Sequence, residues 1–174
     1  TLPAYLAMRG THKLSVVGQA VVKTAGGRQY FLISKNQADL AGCKGKTVAS
    51  DHFDDLPFVD KIVGAGAFTS ADFQTVATRR PVQTLKSVIR GEAECALVDD
   101  AQIASLKKLE GGATVKTVWS SKKLPPMVVV AFGTVSKADR TAFKNNLIGV
   151  CTGAGKQACD EAGISSLRPS GDAA

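Results

Sequence analysis

The sequence predicts an α/β protein in which a parallel sheet carries helices on both faces. Between residues 46 and 111, short apolar runs typical of strands alternate with amphipathic segments typical of helices. Glycine and proline residues separate the two kinds of segment. Because strands joined through crossover helices run parallel, this stretch predicts a self-contained unit of three strands.

The N-terminal segments predict one helix and two strands before that unit. The stretch "LPAYLAMRG" is typical of a short helix that ends at Gly10. Two strands follow, "KLSVVGQAVV" and "RQYFLISK", and the Gly26-Gly27 pair between them predicts a hairpin turn. A short helical turn over "NQADLAG" then leads to the strand "GKTVAS".

The central unit of the sequence continues with a regular order of helices and strands. The helix "FDDLPFVDKIVGAG" precedes the strand "FQTVAT", and the helix "PVQTLKSVIRGE" begins with Pro81 in its first turn. The strand "CALVD" and the helix "DAQIASLKKLEGG" follow, and Gly111-Gly112 ends that helix.

The C-terminal third returns to strands before it ends in helices. Strands are predicted over "VKTVWSS" and "MVVVAFG", and a helix over "SKADRTAFKNNLIGV", where Ser136 and Asp139 have nearly the spacing of a capping box. A last helix covers "GKQACDEAG", and "SSLRPSGDAA" is predicted to be a tail. Residues 1–38 and 120–174 are predicted to form a partial lobe one and residues 39–119 lobe two, with "RQYFLISK" and "VKTVWSS" as hinge strands.

Composition excludes several classes of protein. With 174 residues the chain forms one domain or two small lobes, and its apolar content of 44% with 21% charged residues is typical of a folded protein. No apolar run reaches the roughly 18 to 20 residues that cross a bilayer. The chain begins at Thr1 without a signal-peptide pattern, from which we expect a processed protein or a fragment.

The net charge of +7 raises the question of nucleic-acid binding. The basic residues form separate pairs, and aromatic residues are not interleaved with them as a base-stacking platform requires. We therefore expect a solvated basic surface and no nucleic-acid partner. The pairs are Lys44/Lys46, Arg79/Arg80, Lys107/Lys108 and Lys122/Lys123.

Four cysteines allow two disulfides. Cys43 and Cys95 each precede a predicted strand, so parallel neighbouring strands would place both thiols at the same sheet edge. Cys151 and Cys159 have a spacing that fits no zinc or redox motif but would close a small loop. Two disulfides would indicate an oxidising compartment, whereas four buried free thiols are the alternative.

Three segments in order carry a resemblance to a known family: "DLAGCKGKTVAS", "TLKSVIRGEAECALVDD" and "SSKKLPPMVVVAFG" followed by a helix. They resemble the solute-binding proteins of ABC importers, phosphate/phosphonate-type group, over most of residues 28 to 150. The resemblance implies a type II periplasmic-binding fold with two lobes and a hinge. The chain departs from the family at Cys95 and has no counterpart to roughly the first half of lobe one.

The resemblance also implies a function. We expect a non-catalytic protein that captures a small polar or anionic molecule, phosphonate-like, phosphate-like or zwitterionic, in an interlobe cleft. The implied partner is an ABC permease, and the implied location is periplasmic or extracellular, with a lipid anchor possible in the full-length protein. Lobe one would be completed by a missing N-terminal fragment or by a second copy.

Candidate ligand-binding residues follow the strands of lobe two, because ligands in such sheets bind at the carboxyl ends of strands near helix N-termini. In "SDHFDD", Ser50, Asp51 and His52 stand at a helix start. Ser50 or Asp51 is predicted to N-cap this helix, and Asp54 and Asp55 in its first turn are predicted to interact favourably with the helix dipole. The alternative is a metal site formed by Asp51, His52 and Asp55.

In "TRRP", Thr78, Arg79 and Arg80 precede a helix, and a guanidinium could bind a carboxylate or phosphate there; a surface salt bridge is the alternative. Asp99 and Asp100 end a strand and begin a helix, so one of them is predicted to be the N-cap. In the resembling family this position faces the cleft, which makes Asp99 a candidate acceptor for a ligand amine or hydroxyl. An acid–base pair is disfavoured because adjacent residues at a strand end point in opposite directions.

Two aromatic residues complete the candidates. Tyr5 would offer a hydroxyl or a stacking face to the ligand, and Trp119 is interpreted as a hinge or core residue rather than a ligand wall. The mixture of arginines and carboxylates suits a zwitterionic or hydroxyl-bearing molecule better than bare phosphate.

Three other functions compete with solute capture. An enzyme on the same fold lacks support, because the sequence has no catalytic motif, no cofactor-binding motif and no metal-spaced cluster. A ligand-sensing domain of a regulator would be cytosolic and keep reduced cysteines. A scaffold with a degenerate cleft is the third alternative.

Overall fold

The computed structural model describes residues 2–23 and 26–171. The α-helices are α1 (Leu2–Met8), α2 (Leu40–Cys43), α3 (Leu56–Phe58), α4 (Pro81–Arg90), α5 (Asp100–Leu106), α6 (Lys137–Val150) and α7 (Lys156–Glu161). The strands are β1 (Ser15–Val22), β2 (Tyr30–Ser34), β3 (Thr47–Ser50), β4 (Gln74–Ala77), β5 (Cys95–Asp99), β6 (Lys116–Ser120), β7 (Val128–Ala131) and β8 (Ile164–Pro169). A π-helical turn (Val59–Val63) and three short 3-10 turns (Ser70–Asp72, Gly112–Thr114 and Gly153–Gly155) complete the elements. Within the described ranges, no helix has the length and apolar character needed to cross a membrane.

The chain divides into two compact units. The central unit comprises residues 26–124, and the terminal unit comprises residues 1–25 and 125–174. The predicted lobe boundaries lie at 38/39 and 119/120, whereas the units divide at 25/26 and 124/125. The difference arises because β2 pairs with β5 and β6, which brings this strand into the central unit.

The central unit contains a five-stranded sheet in the order β4-β3-β5-β2-β6. β4, β3 and β5 are parallel, as the alternation of strands and helices predicts. β2 runs antiparallel to β5 and to β6, so the complete sheet is mixed rather than wholly parallel. The carboxyl ends of β3 and β5 lie at one edge, and this edge carries the candidate site.

Both faces of the central sheet are covered, because successive side chains of its strands point to opposite sides. One core contains Ile33, Ala96 and Val98 of the sheet with Leu85 and Val88 of α4. The other face carries aromatic pairs, in which the Tyr30 ring meets Phe58 at 5.8 Å and Phe68 meets Trp119 at 5.0 Å. Helices on both faces are therefore confirmed for this sheet.

At the amino ends of β3 and β5, Cys43 and Cys95 form a disulfide with their Cα atoms 6.1 Å apart. The parallel pairing of β3 with β5, in which Val48 lies opposite Cys95, brings the end of α2 next to the start of β5. The predicted pairing is confirmed, and both cysteines are fully buried.

The terminal unit contains an antiparallel three-stranded sheet in the order β7-β1-β8. Leu147 of α6 packs against Ala20 and Leu167 in the core of this unit. Gly18 is required here, because an added Cβ would lie only 2.7 Å from the Arg168 carbonyl oxygen. The second disulfide, Cys151–Cys159, joins the end of α6 to α7.

Two predictions for the terminal unit are wrong. The described part of β1 pairs with β7 and β8 and not with β2, so Gly26-Gly27 does not form the predicted hairpin. The predicted tail contains β8, whose Leu167 lies opposite Ala20 of β1. The apolar face of β1 needs a second neighbouring strand, and long-range pairing of this kind leaves no local sequence signal. The last three residues of the tail lie outside the described residues.

Candidate functional site

The candidate site lies at the carboxyl ends of β3 and β5 in the central unit. Ser50, the last residue of β3, is fully buried, and its hydroxyl donates to the Leu97 carbonyl of β5 at 2.7 Å. The same oxygen accepts the backbone N–H of His52 at 3.1 Å. Ser50 therefore orients the loop that carries Asp51 and His52.

Asp99 is the N-cap of α5. Its Oδ1 accepts the backbone N–H of Gln102 at 2.9 Å, and the Gln102 side chain returns a bond to the Asp99 backbone, which completes a capping box. The second carboxylate oxygen accepts the backbone N–H of Gly27 at 3.0 Å. Asp100 accepts the backbone N–H of Arg28 at 3.3 Å. The two adjacent acids thus fix the start of α5 and the segment before β2.

The side chain of Gln102 is the central hydrogen-bonding group of the site. It is only 3% exposed. Its Nε2 donates to Asp51 Oδ1 at 2.9 Å and to the Pro81 carbonyl at 3.3 Å, and its Oε1 accepts the Asp99 backbone N–H at 2.9 Å. These opposing bonds define which end of the amide is oxygen and which is nitrogen.

Asp51 receives a second donor from α4. Thr84 Oγ1 lies 2.9 Å from Asp51 Oδ1, and it also shares a hydrogen bond with Thr78. The Asp51 carboxylate, in the loop after β3, thus accepts hydrogen bonds from both α4 and α5. Asp51 is half-buried, so its carboxylate is ordered without being sealed from solvent.

His52 completes the network. Its Nε2 lies 3.2 Å from Gln102 Oε1, and its ring meets the edge of Tyr30 at 5.0 Å. Because Gln102 Oε1 can only accept, Nε2 carries the hydrogen. In the neutral imidazole Nδ1 is then an acceptor, and in the protonated form it is a donor.

A cavity of about 140 Å³ lies beside this network. Its lining combines the polar residues Asp51, Asp99 and Gln102 with apolar residues of α4 and α5. The complete lining is Asp51, Pro81, Val82, Leu85, Asp99, Ala101, Gln102 and Ser105. A small molecule with hydrogen-bond donors and a short apolar part fits this combination of groups.

Three carboxylates contribute to the electrostatics of the site. Burial, followed by the charges of Asp99, Asp100 and Asp51, raises the pKa of Tyr30 well above 10.0, its ordinary value. Within residues 2–23 and 26–171, none of these three carboxylates has an ion pair. The site can therefore stabilise a cationic or donor-rich ligand group.

The loop "TRRP", predicted to bind an anion, offers fewer backbone donors than expected. Arg80 is the N-cap of α4, and the side chains of Arg79 and Arg80 are exposed. Pro81 has no N–H, and the Gln83 and Thr84 N–H groups donate to the Arg80 carbonyl. The start of α4 thus offers few free N–H groups, and an anion there would depend on the guanidinium groups.

The other sequence candidates are dispersed. The predicted N-cap, Ser50 or Asp51, is wrong, because the loop after β3 continues to residue 55 and the Ser50 hydroxyl bonds to the Leu97 carbonyl. Asp55 caps α3 instead by accepting the Phe58 N–H at 3.1 Å, and Asp54 is exposed. Tyr5 lies half-buried in α1 of the terminal unit, and Trp119 packs against Phe68. Among the described residues, no group of three His, Cys, Asp or Glu side chains could hold a metal ion.

Sequence reasoning identified Asp51, His52 and Asp99 as candidates but missed Gln102 and Thr84. The spacing of Asp99 and Gln102 is itself a capping-box signal that could have indicated the first of them. Nothing local indicates that Thr84, on the inner side of α4, reaches Asp51.

Comparisons with known proteins agree with this architecture. Residues 35–174 match the family model described as "ABC transporter, phosphonate, periplasmic substrate-binding protein". The comparison with curated protein sequences gave no match.

Three solved structures are similar in fold. A binding protein component of an ABC phosphonate transporter from Pseudomonas aeruginosa is 18% identical with a TM-score of 0.57; the match covers 91% of this chain and 58% of that one. A Xanthomonas citri protein bound to chloride ion is 13% identical with a TM-score of 0.66, over 97% of this chain and 68% of that one. A Prochlorococcus marinus protein in complex with methylphosphonate is 12% identical with a TM-score of 0.61, over 97% and 70%. The chain thus spans less than two thirds of the first of these proteins.

Proposed function

Because the chain belongs to the family of periplasmic substrate-binding proteins of phosphonate ABC transporters, we propose that it captures a small polar solute outside the cytoplasm for ABC-type uptake. The family is one of transporter binding proteins rather than of enzymes. The single observation that carries the proposal is the ordered network in which Gln102 and Thr84 both donate to Asp51 beside a small cavity.

The network supports ligand binding for a physical reason. Its carboxylates and amide are held by several hydrogen bonds each, so they are preorganised and cost little further ordering when a ligand binds. Asp51, His52 and Asp99 are the proposed ligand-binding residues of this edge. Ser50 accepts a hydrogen bond from the His52 N–H, and Thr78 shares one with Thr84. The Gln102 side chain bonds to all three residues and orients them.

The proposed ligand is a small zwitterion of the aminoalkylphosphonate type. Its cationic group would face Asp51 and Asp99, whose negative potential is not balanced by an ion pair in the described part of the chain. Its anionic group would meet Arg79 and Arg80, because guanidinium groups bind phosphonate oxygens in pairs. Tyr5 remains a proposed contact from the terminal unit.

The proposed partners and location follow from the same family. We expect an ABC permease to receive the solute, and a lipid anchor in the full-length protein is a proposal that accompanies it. A further N-terminal fragment or a second copy is proposed to complete lobe one. The two disulfides support an oxidising compartment and argue against the cytosolic sensor that uses the same architecture.

Isothermal titration calorimetry tests this function with four probes: 2-aminoethylphosphonate, ethylphosphonate, methylphosphonate and inorganic phosphate. We expect saturable binding, with 2-aminoethylphosphonate tighter than ethylphosphonate by at least about tenfold because only the former carries the amine. Tighter binding of ethylphosphonate would contradict the zwitterion. Absence of saturable binding for all four probes would contradict phosphonate-type solute capture itself.

A further inference from the structure

Two loops of the terminal unit lie side by side and form a surface that solute capture does not use. They are residues 8–13 and 132–137, here called the basic loop pair. The His12 ring meets the edge of the Phe132 ring at 5.9 Å, and the Gly133 N–H donates to the His12 carbonyl at 3.2 Å. Two segments far apart in sequence thus form one continuous surface.

The basic loop pair is held in a defined conformation. A Cβ added to Gly133 would lie 2.7 Å from the Lys13 Cβ, so only glycine permits this close approach. The His12 N–H donates to the Met8 carbonyl at 3.0 Å. Arg140 Nη2 donates to the Val135 carbonyl at 3.2 Å and fixes the second loop to α6. The side chains at its surface are therefore presented by ordered backbone.

Large apolar side chains of the loop pair are exposed. Phe132 is 52% exposed, Met8 43% and Val135 36%. Single exposed apolar residues need no explanation, but three on two loops that contact each other favour a protein or membrane contact.

The same loops carry only positive charge. Residues 8–13 and 132–137 contain no Asp or Glu, whereas Arg9, Lys13 and Lys137 are exposed cations and His12 is exposed beside them. None of the three cations has an ion pair within the described residues. The nearest acid in sequence, Asp139, accepts the Ser136 hydroxyl at 2.7 Å. The charge of the loop pair is therefore complementary to a negatively charged partner.

We propose that the basic loop pair docks on an anionic phospholipid bilayer. A lipid surface presents phosphate groups at one depth and hydrocarbon just beneath, which matches cations surrounding exposed Phe132, Met8 and Val135. An acidic protein segment would satisfy the charges but would provide no apolar layer beneath them. Docking would keep the protein close to the membrane that its proposed permease spans.

The docking surface lies in the terminal unit, and the network around Asp51 lies in the central unit. Failure of lipid binding therefore leaves the proposed solute capture untouched, and the reverse also holds.

Co-sedimentation of the complete chain with vesicles tests the proposal. We expect binding to vesicles of phosphatidylglycerol and phosphatidylcholine, none to phosphatidylcholine alone, and release at high salt. Each neutralised cation at the surface lowers the partition coefficient about fivefold, so Lys13→Gln with Lys137→Gln lowers it about 25-fold. Phe132→Ser lowers it by about fivefold or more, because less apolar area enters the bilayer.

Two matched variants serve as controls. Lys107→Gln with Lys108→Gln removes the same charge from exposed residues of the central unit. Ile148→Ser removes an apolar side chain that is 66% exposed at the far end of α6, eleven residues or about 16 Å from Lys137. Both controls are expected to keep the wild-type partition coefficient to within about twofold.

Equal binding to both kinds of vesicle, or equal losses in the control variants, would overturn the docking surface. Competition by soluble polyglutamate, combined with wild-type lipid binding by Phe132→Ser, would instead indicate an acidic protein partner. A dimer of the wild-type chain that Phe132→Ser converts to a monomer would indicate a second copy on this surface. Either result would overturn the lipid proposal.

Discussion

The amide of Gln102 joins Asp51 to the start of α5: its Nε2 donates to Asp51 Oδ1 at 2.9 Å, while its Oε1 accepts the Asp99 N–H at 2.9 Å. Because an amide has a donor end and an acceptor end, this arrangement holds the Asp51 carboxylate in one orientation relative to the helix. The capping-box glutamine of α5 therefore also organises the candidate site.

The first prediction concerns this amide. Gln102→Met keeps the approximate volume but leaves the Asp99 N–H and one side of Asp51 without a partner, and we expect a loss of about 1–3 kcal/mol in the free energy of unfolding by urea. Gln157→Met is the control, since Gln157 is exposed and bonds only to Glu161. The control is expected to change stability by less than about 0.5 kcal/mol. Equal effects of the two variants would contradict the role of Gln102.

The second prediction compares the disulfides. Cys43–Cys95 spans 52 residues and Cys151–Cys159 spans 8. Loop-closure entropy then predicts that Cys43→Ala with Cys95→Ala destabilises the central unit by about 4 kcal/mol, whereas Cys151→Ala with Cys159→Ala costs the terminal unit about 2.5 kcal/mol. Unfolding in denaturant, with hydrogen exchange in each unit as the readout, measures both losses of stability. A larger loss from the shorter loop would contradict this assignment.

The third prediction concerns alkaline pH. Tyr30 is buried near three acids, which raises its folded pKa above the unfolded value of 10.0. Its contribution to stability is therefore fully present below about pH 10 and is lost as the pH rises further. Ultraviolet titration should show Tyr30 ionising only with unfolding, and Tyr30→Phe should unfold at higher pH than the wild type. Reversible ionisation of Tyr30 in the folded protein near pH 10 would disprove it.

The fourth prediction concerns acid. Hydrogen bonds from Lys156 and Lys23 lower the pKa of Asp160 to about 2, from 3.8. Since the folded pKa is depressed, the stabilisation is present above pH 3.8 and is lost as the pH falls towards about 2. NMR titration should find the lowered pKa in the wild type. Lys23→Met and Lys156→Met should each raise it, and together they should return it close to 3.8. An unchanged pKa in the double variant would refute the assignment.

The sequence predicted the strands and α4 of the central unit well because their signals are local. Two other helices are shorter than predicted: α5 ends at Leu106 rather than at Gly111-Gly112, and the helix predicted over residues 53–66 is the three-residue α3 followed by a π-helical turn. Pro81 opens α4, Gly91 in the left-handed region ends it, and the apolar run 95–98 forms the buried strand β5. The resemblance to the family placed these elements in the correct fold class. Pairing of β1 with β8 could not be predicted, because it joins residues about 150 positions apart and a polar tail has no strand-like period.

At the candidate site, the sequence indicated only those residues that stand at a strand end and carry a charged or ionisable side chain. Asp51, His52 and Asp99 satisfy that rule, and the structure joins them through Gln102. Thr84 and Gln102 were missed because they lie on helices. In a helical sequence, a polar residue among apolar ones does not show whether its side chain is buried at a site or exposed to solvent.

The most direct test of the central claim, that the Asp51 network binds a cationic part of a small solute, is calorimetric titration of 2-aminoethylphosphonate into three forms of the protein. We expect saturable binding to the wild type, at least about thirtyfold weaker binding to Asp51→Asn, and wild-type affinity in Asp54→Asn, whose exposed carboxylate has no part in the network. Equal affinities in all three forms, or equal losses in both variants, would contradict the claim.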